Sequence, residues 1–161
     1  MDPRIAPLAG QFDVATNLMR KALSGVDAEM LHRRPGPDSN PMLWMAGHLT
    51  LFRCRMTRLL GSQRVVPWEA LFRTGAGKRP PSEYPQAAEI GALWEEVSVE
   101  LDERVRALGA SELDGPPRVR MPSTDGTLAG TLALFAFHEG YHIGQLGYLR
   151  KWQGLSPLLD G

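Results

Sequence analysis

The sequence predicts an all-α protein, a four-helix bundle, and three observations carry that reading. Four segments repeat apolar residues at three–four spacing, the period of one helix face. Glycine closes each of them, and turn-forming stretches lie between. No pair of alternating segments is long enough for a sheet core: Val65-Val66 and Arg118-Val119-Arg120 are short and isolated.

The first helix is expected over Ile5, Leu8, Phe12, Ala15, Met19 and Leu23, stopped by Gly25. Arg33-Arg34-Pro35-Gly36-Pro37-Asp38 follows and cannot be helix interior. The second helix should open at Asn40-Pro41, an N-cap followed by proline, and run through Trp44, His48, Leu51 and Phe52 to about Leu60, with Gly61 closing it. From Ser62 to about Pro85 the chain is irregular, a length that in a compact domain marks a lid or cover.

The third helix starts near Gln86 and repeats Ile90, Leu93, Val97, Leu101, Val105 and Leu108, ending at Gly109. A turn-rich stretch, Asp114-Gly115-Pro116-Pro117 to Asp125-Gly126, leads into the last helix, from about Thr127 to Gln153. Its stripe reads Thr131, Phe135, His138, His142, Gln145, Leu149 and Trp152, with Gly154 as the cap. Gly140, Gly144 and Gly147 each cost this helix roughly 0.8–1 kcal/mol relative to alanine. Close approach of a neighbouring helix, or space beside a metal, is the expected return.

Composition bounds the function. The 161 residues fit a single domain over 1–161, and 18 Lys plus Arg balance 18 Asp plus Glu, so no global field attracts nucleic acid or an anionic membrane. The lone Cys54 excludes an intrachain disulfide and fits a reducing compartment. Met1-Asp2-Pro3-Arg4 lacks the apolar run of a secretory signal, and nothing approaches the ~20 apolar residues of a membrane span. A cytoplasmic protein acting on a small molecule is expected.

The chemistry concentrates in Phe137-His138-Glu139-Gly140-Tyr141-His142. Two histidines four apart leave one helix face and can converge on one metal ion. Written out, the stretch is also H-E-x-x-H, the zinc-protease signature. Such proteases usually take a third ligand downstream, yet beyond His142 the only carboxylate is Asp160 and there is no histidine. The third ligand is therefore expected upstream at His48, which makes this a bundle site with one ligand on one helix and a pair on another. His32, beside a turn among Leu31, Arg33 and Arg34, is expected in solvent and outside the site.

A lone histidine on an apolar stripe is more often a hydrogen-bonded core residue than a ligand. Three of four histidines on inward stripes change that balance, because each buried unpartnered polar group costs about 1–3 kcal/mol. Glu139 projects about 100° from His138 but about 60° from His142, using ~3.6 residues per turn. It is the candidate general base or water-orienting group, weighed against an exposed carboxylate. Gln145 falls near the histidine direction and Tyr141 on the other flank; each can serve a ligand or the bundle. Arg53, Arg55 and Arg58 read as a solvated face, with Arg55 also placed to meet an anionic substrate. Gly75-Ala76-Gly77-Lys78 is a flexible turn and not a phosphate loop, since Arg79 replaces Ser or Thr and Phe72 replaces glycine. Cys54 points away from His48 and is expected to be packed.

Three blocks together resemble the DinB/YfiT-like superfamily of metal-dependent proteins over nearly the whole chain. They are Arg34-Pro35-Gly36-Pro37-Asp38-Ser39-Asn40-Pro41, Trp44-Met45-Ala46-Gly47-His48-Leu49, and His138 through Leu146. The resemblance implies a four-helix bundle, a site of His48, His138 and His142 completed by water, and a homodimer. It also implies thiol-dependent chemistry, with a low-molecular-weight thiol as co-substrate in some relatives. Zinc or nickel suits such a set best, with iron or manganese also admitted. The expected function is a metal-dependent enzyme activating a thiol for transfer. Metal-assisted hydrolysis with Glu139 as base stands second, and a non-enzymatic, metal-stabilised ligand-binding or stress-response module third.

Overall fold

The computed structural model describes residues 2–76 and 79–159, and all regular structure among them is helical. Met1, Gly77, Lys78, Asp160 and Gly161 lie outside the described residues, and with them part of the expected flexible turn and the one downstream carboxylate. Four long helices carry the architecture: α1 (Ile5–Leu23), α3 (Met42–Leu59), α5 (Ala87–Arg106) and α7 (Leu128–Trp152). Short helices α2 (Ala28–His32), α4 (Glu69–Phe72) and α6 (Ala110–Asp114), and a 3-10 turn at Pro81–Glu83, fill the connections.

The helix ends follow from local chemistry. The Ser24 backbone amide donates to the Arg20 and Lys21 carbonyls at the end of α1, and Gly25 takes φ 72, which a side chain would disfavour. At the start of α5 the Glu89 carboxylate accepts the Gln86 backbone amide at 3.3 Å, while the Glu89 amide donates to the Gln86 carbonyl. Thr127 caps α7 by accepting the Gly130 amide at 2.9 Å. Two boundaries differ from the sequence reading. Pro41, not Asn40, occupies the cap of α3, since its extended φ −75, ψ 166 delays the helix to Met42. Gly109 is the start of α6, because α5 has already ended at Arg106.

Packing places α1 beside α5 and α7, and α3 beside α5 and α7. The core divides into two apolar clusters, and the order in which each helix meets them gives its direction. Along α1 and α7 the Phe12–Leu132–Phe135 cluster comes first; along α3 and α5 the Leu49–Trp94–Ile143 cluster comes first. The first and last helices therefore run one way and the middle two the other. A connection between parallel α3 and α5 must climb back about 27 Å, at 1.5 Å per residue of helix. The long stretch after Leu60 does this, and on the way it covers the N-terminal half of α3.

Thr16, Arg53, Ser98 and Glu139, one residue from each long helix, are all buried between the two clusters. No helix among the described residues is long and apolar enough to cross a membrane.

Candidate metal centre

The inner faces of α3 and α7 bring His48, His138 and His142 together, and one nitrogen from each lies within 4.8 Å of the others. Nε2 of His48 stands 3.2 Å from Nε2 of His138. Two nitrogens bound at ~2.0–2.1 Å to one tetrahedral ion would stand about 3.3 Å apart, so this edge already has the length of a shared ion. His32 is elsewhere, part-buried with its ring 6.4 Å from that of Tyr84.

Hydrogen bonds fix which nitrogen each ring offers. His48 Nδ1 is 2.7 Å from the Phe72 carbonyl oxygen, which can only accept, so the proton sits on Nδ1 and leaves Nε2 with a lone pair. His142 Nδ1 is 2.7 Å from Gln145 Oε1, which orients that ring in the same way. Nδ1 of His138 is buried and has no partner among the described residues. A proton on His138 Nε2 would satisfy the 3.2 Å contact but leave Nδ1 a bare acceptor; a proton on Nδ1 would leave two lone pairs facing each other. A cation between the rings removes that second conflict, so the donor set fits a metal.

Charge state agrees with ligation. Burial pushes His48 down to about 4, against a smaller opposing pull from the Phe72 carbonyl, and pushes His138 down to about 3. Burial lowers His142 too, with Gln145 opposing. All three rings are neutral near pH 7, the form a metal takes.

The local fold explains these positions. Trp44 stacks on His48 with centroids 4.7 Å apart, and Phe52 stacks on His138 at 4.3 Å. Trp44 Nε1 donates to the Leu71 carbonyl at 3.2 Å, fastening α4 across α3. Gly47 makes that crossing feasible, because a Cβ there would overlap the Phe72 ring. The missing side chain at Gly47 thus sets the carbonyl that orients His48.

Glu139 departs most from the sequence reading. It is 1 % exposed and faces the bundle interior, where Arg53 Nε donates to its Oε1 at 2.8 Å and Arg53 Nη2 to its Oε2. The buried face of α7 runs Leu132, Phe135, Glu139, Ile143, Leu146, Leu149, so the histidines flank it and the glutamate centres it. Trp152, placed on the inner stripe by the sequence, is exposed for the same reason.

Arg53 itself corrects the expected solvated arginine face. It is fully buried, because α1, α5 and α7 close around it. Its other bonds go to Thr16 Oγ1 at 2.6 Å, Ser98 Oγ at 2.7 Å and the Phe12 carbonyl, and it lies 3.7 Å over the Trp94 ring. The signal was present: Arg53 sits four after Leu49 and three before Met56, on the apolar period. Arg55 and Arg58 do stay near the surface but share Glu69, each at 2.9 Å. Cys54 is buried as expected, and burial pushes its thiol up to about 11.

Two of the glycines in α7 serve neither expected purpose. A Cβ at Gly140 or Gly144 would meet nothing within 4 Å, and both line an open groove between α1 and α7; of these three glycines only Gly147 gives close approach, to Leu158 in the segment after α7 and not to a neighbouring helix.

A family model described as the DinB superfamily matches residues 11–146, a span that includes all three histidines and the Arg53–Glu139 pair. No curated protein matches the chain.

Proposed function

This chain belongs to the DinB superfamily, and on that premise we propose that His48, His138 and His142 hold one divalent transition metal ion and that the protein is a metal-dependent enzyme. The observation that carries the reading is the pair of Nδ1 contacts, to the Phe72 carbonyl and to Gln145, which leave Nε2 of His48 and His142 free to coordinate. A bound divalent ion, with three neutral ligands and open positions, supplies Lewis acidity that makes a thiolate or hydroxide available near neutral pH.

Thiol activation is favoured over hydrolysis by the position of Glu139. Hydrolysis of the protease type needs a free carboxylate beside the attacking water. Both oxygens of Glu139 are bonded by Arg53 inside the bundle. A thiol needs no such base, since coordination alone lowers its pKa. Trp44 and Phe52 hold the rings and exclude water from one side of the triad. The co-substrate in this reading is a low-molecular-weight thiol, and zinc or nickel the favoured metal, with iron or manganese as further candidates.

A homodimer forms part of the proposal. From Leu128 to Leu149, α7 carries no charged residue except buried Glu139, and its outer side leaves Tyr148 and the glycine-lined groove uncovered. The functional test is a screen of thiols with electrophiles on untagged protein. Turnover that needs both thiol and metal, and stops on chelation, supports the enzyme. Metal binding without any thiol-dependent turnover favours the ligand-binding module instead.

A further inference from the structure

On the outer flank of α7 a second pocket opens beside the triad, lined by Phe52, Met121, Leu134, Phe137, His138 and Tyr141 among others. We infer that it is a subsite for an uncharged apolar group of about one aromatic ring, carried by the molecule on which the triad acts. The inference rests on the proposed reading of the triad for its purpose, though not for the chemistry of the ligand.

Size sets the first limit. The pocket measures about 270 Å³, and an apolar cavity of roughly 150 Å³ suffices for benzene. One ring with a short substituent fits.

Chemistry sets the second. No aspartate, glutamate, lysine or arginine lines the pocket. The Tyr141 hydroxyl already accepts a hydrogen bond from Gln145 Nε2 at 3.3 Å. Arg55 lies 5.0 Å from the centre of the Phe52 ring, but its guanidinium is engaged by Glu69. A charged group entering here would lose water and meet at most the neutral Tyr141 hydroxyl, with no opposite charge in the wall. The anionic substrate considered for Arg55 is therefore not what this pocket accepts.

Position gives the third. His138 belongs both to the pocket wall and to the triad, and Phe52 lies flat on its ring at 4.3 Å. A ring seated here lies against one of the three ligands. Phe137 and Tyr141, 69 % and 56 % exposed, stand at the rim as apolar surface that a bound ring would cover.

The test is a fluorine NMR titration of 4-fluorotoluene and 4-fluorobenzoate into metal-free and zinc-loaded protein. The neutral probe should bind saturably, once per chain, to both forms and shift the Met121 methyl and His138 ring signals. On metal-free protein 4-fluorobenzoate should bind at least ~10-fold more weakly. Leu134→Trp, and independently Met121→Trp from the connection before α7, should weaken 4-fluorotoluene at least ~10-fold by filling the space, with zinc uptake unchanged. Equal binding of the carboxylate, or unaltered affinity in both filled variants, overturns the inference. Failure of zinc uptake would count against the triad alone, because the metal-free titration still reads the pocket.

Discussion

Arg53 and Glu139 form an ion pair at the centre of the bundle, with side chains 0 % and 1 % exposed and Arg53 Nε 2.8 Å from Glu139 Oε1. Through Thr16 and the Phe12 carbonyl on α1 and Ser98 and the Trp94 ring on α5, the same guanidinium ties α3 to the other two long helices as well. The pair lies between the two apolar clusters and so pins the relative height of α3 and α7, the helices that bear the histidines. A shift of either helix by one turn would break it and separate the triad.

Removing one partner should therefore act on stability before it acts on chemistry. Glu139→Gln or Arg53→Met alone should each lose ~3–5 kcal/mol in urea unfolding, because the remaining charge stays buried. The double replacement Arg53→Met with Glu139→Met should lose much less than the sum. Wild-type stability of Glu139→Gln, with a ~10²-fold loss of turnover, would restore the glutamate to the role of general base.

Gly47→Ala tests the link from backbone packing to the site. Its Cβ must push Phe72 aside, and the Phe72 carbonyl moves with it away from His48 Nδ1. Loss of a partner that orients a ligand typically costs 10–100-fold in metal affinity, so a ~10-fold or larger rise in Kd is expected in a chelator competition. Unchanged affinity would show that the carbonyl does not orient the ring.

Gln145→Ala examines the corresponding contact on His142. The side chain is near the surface, so its loss should change unfolding free energy by no more than ~0.5–1 kcal/mol while weakening metal binding ~10-fold or more. An equal loss in both measurements would mark Gln145 as a packing residue.

Metal-free protein should lose stability as acid is added below pH ~6.5. In the folded chain His48 and His138 take up protons only near 4 and 3, and His142 is lowered as well, against 6.5 for a free imidazole. Between those limits the unfolded chain binds more protons, so unfolding is favoured by up to about 1.4 kcal/mol per pH unit per group. Above pH ~6.5 both states are neutral there and the three rings contribute no slope. Melting temperatures of chelated protein from pH 8 to 5 check this, and a flat profile would contradict the burial of the rings.

Much of this was legible in the sequence, for identifiable reasons. Glycine stops and three–four spacing placed α1, α3, α5 and α7 to within a few residues, because both are properties of the local chain. The nearness of His48 to His138 and His142 was legible because no histidine and only Asp160 among carboxylates follows His142, while His48 lies on an apolar helix stripe and His32 beside a turn. Glu139 and Arg53 were not read correctly, since a charge on an apolar period looks like a solvated exception until its counter-charge is found on another helix. The role of Gly47 was equally hidden, because Phe72 reaches it from a segment whose path only the fold defines. Arg150 is a similar case: buried, it donates to the carbonyls of Ala22 and Ser24 and closes the end of α1.

The most direct test of the metal centre is elemental analysis of untagged protein, after dialysis against micromolar zinc or nickel, for wild type and for His48→Ala, His138→Ala and His142→Ala. One ion per chain is expected in wild type and its loss in each variant, with helical circular dichroism retained because the apolar stripes carry the fold. A wild type that retains no ion, or a His48→Ala variant that binds metal as tightly as wild type, would contradict the three-histidine site.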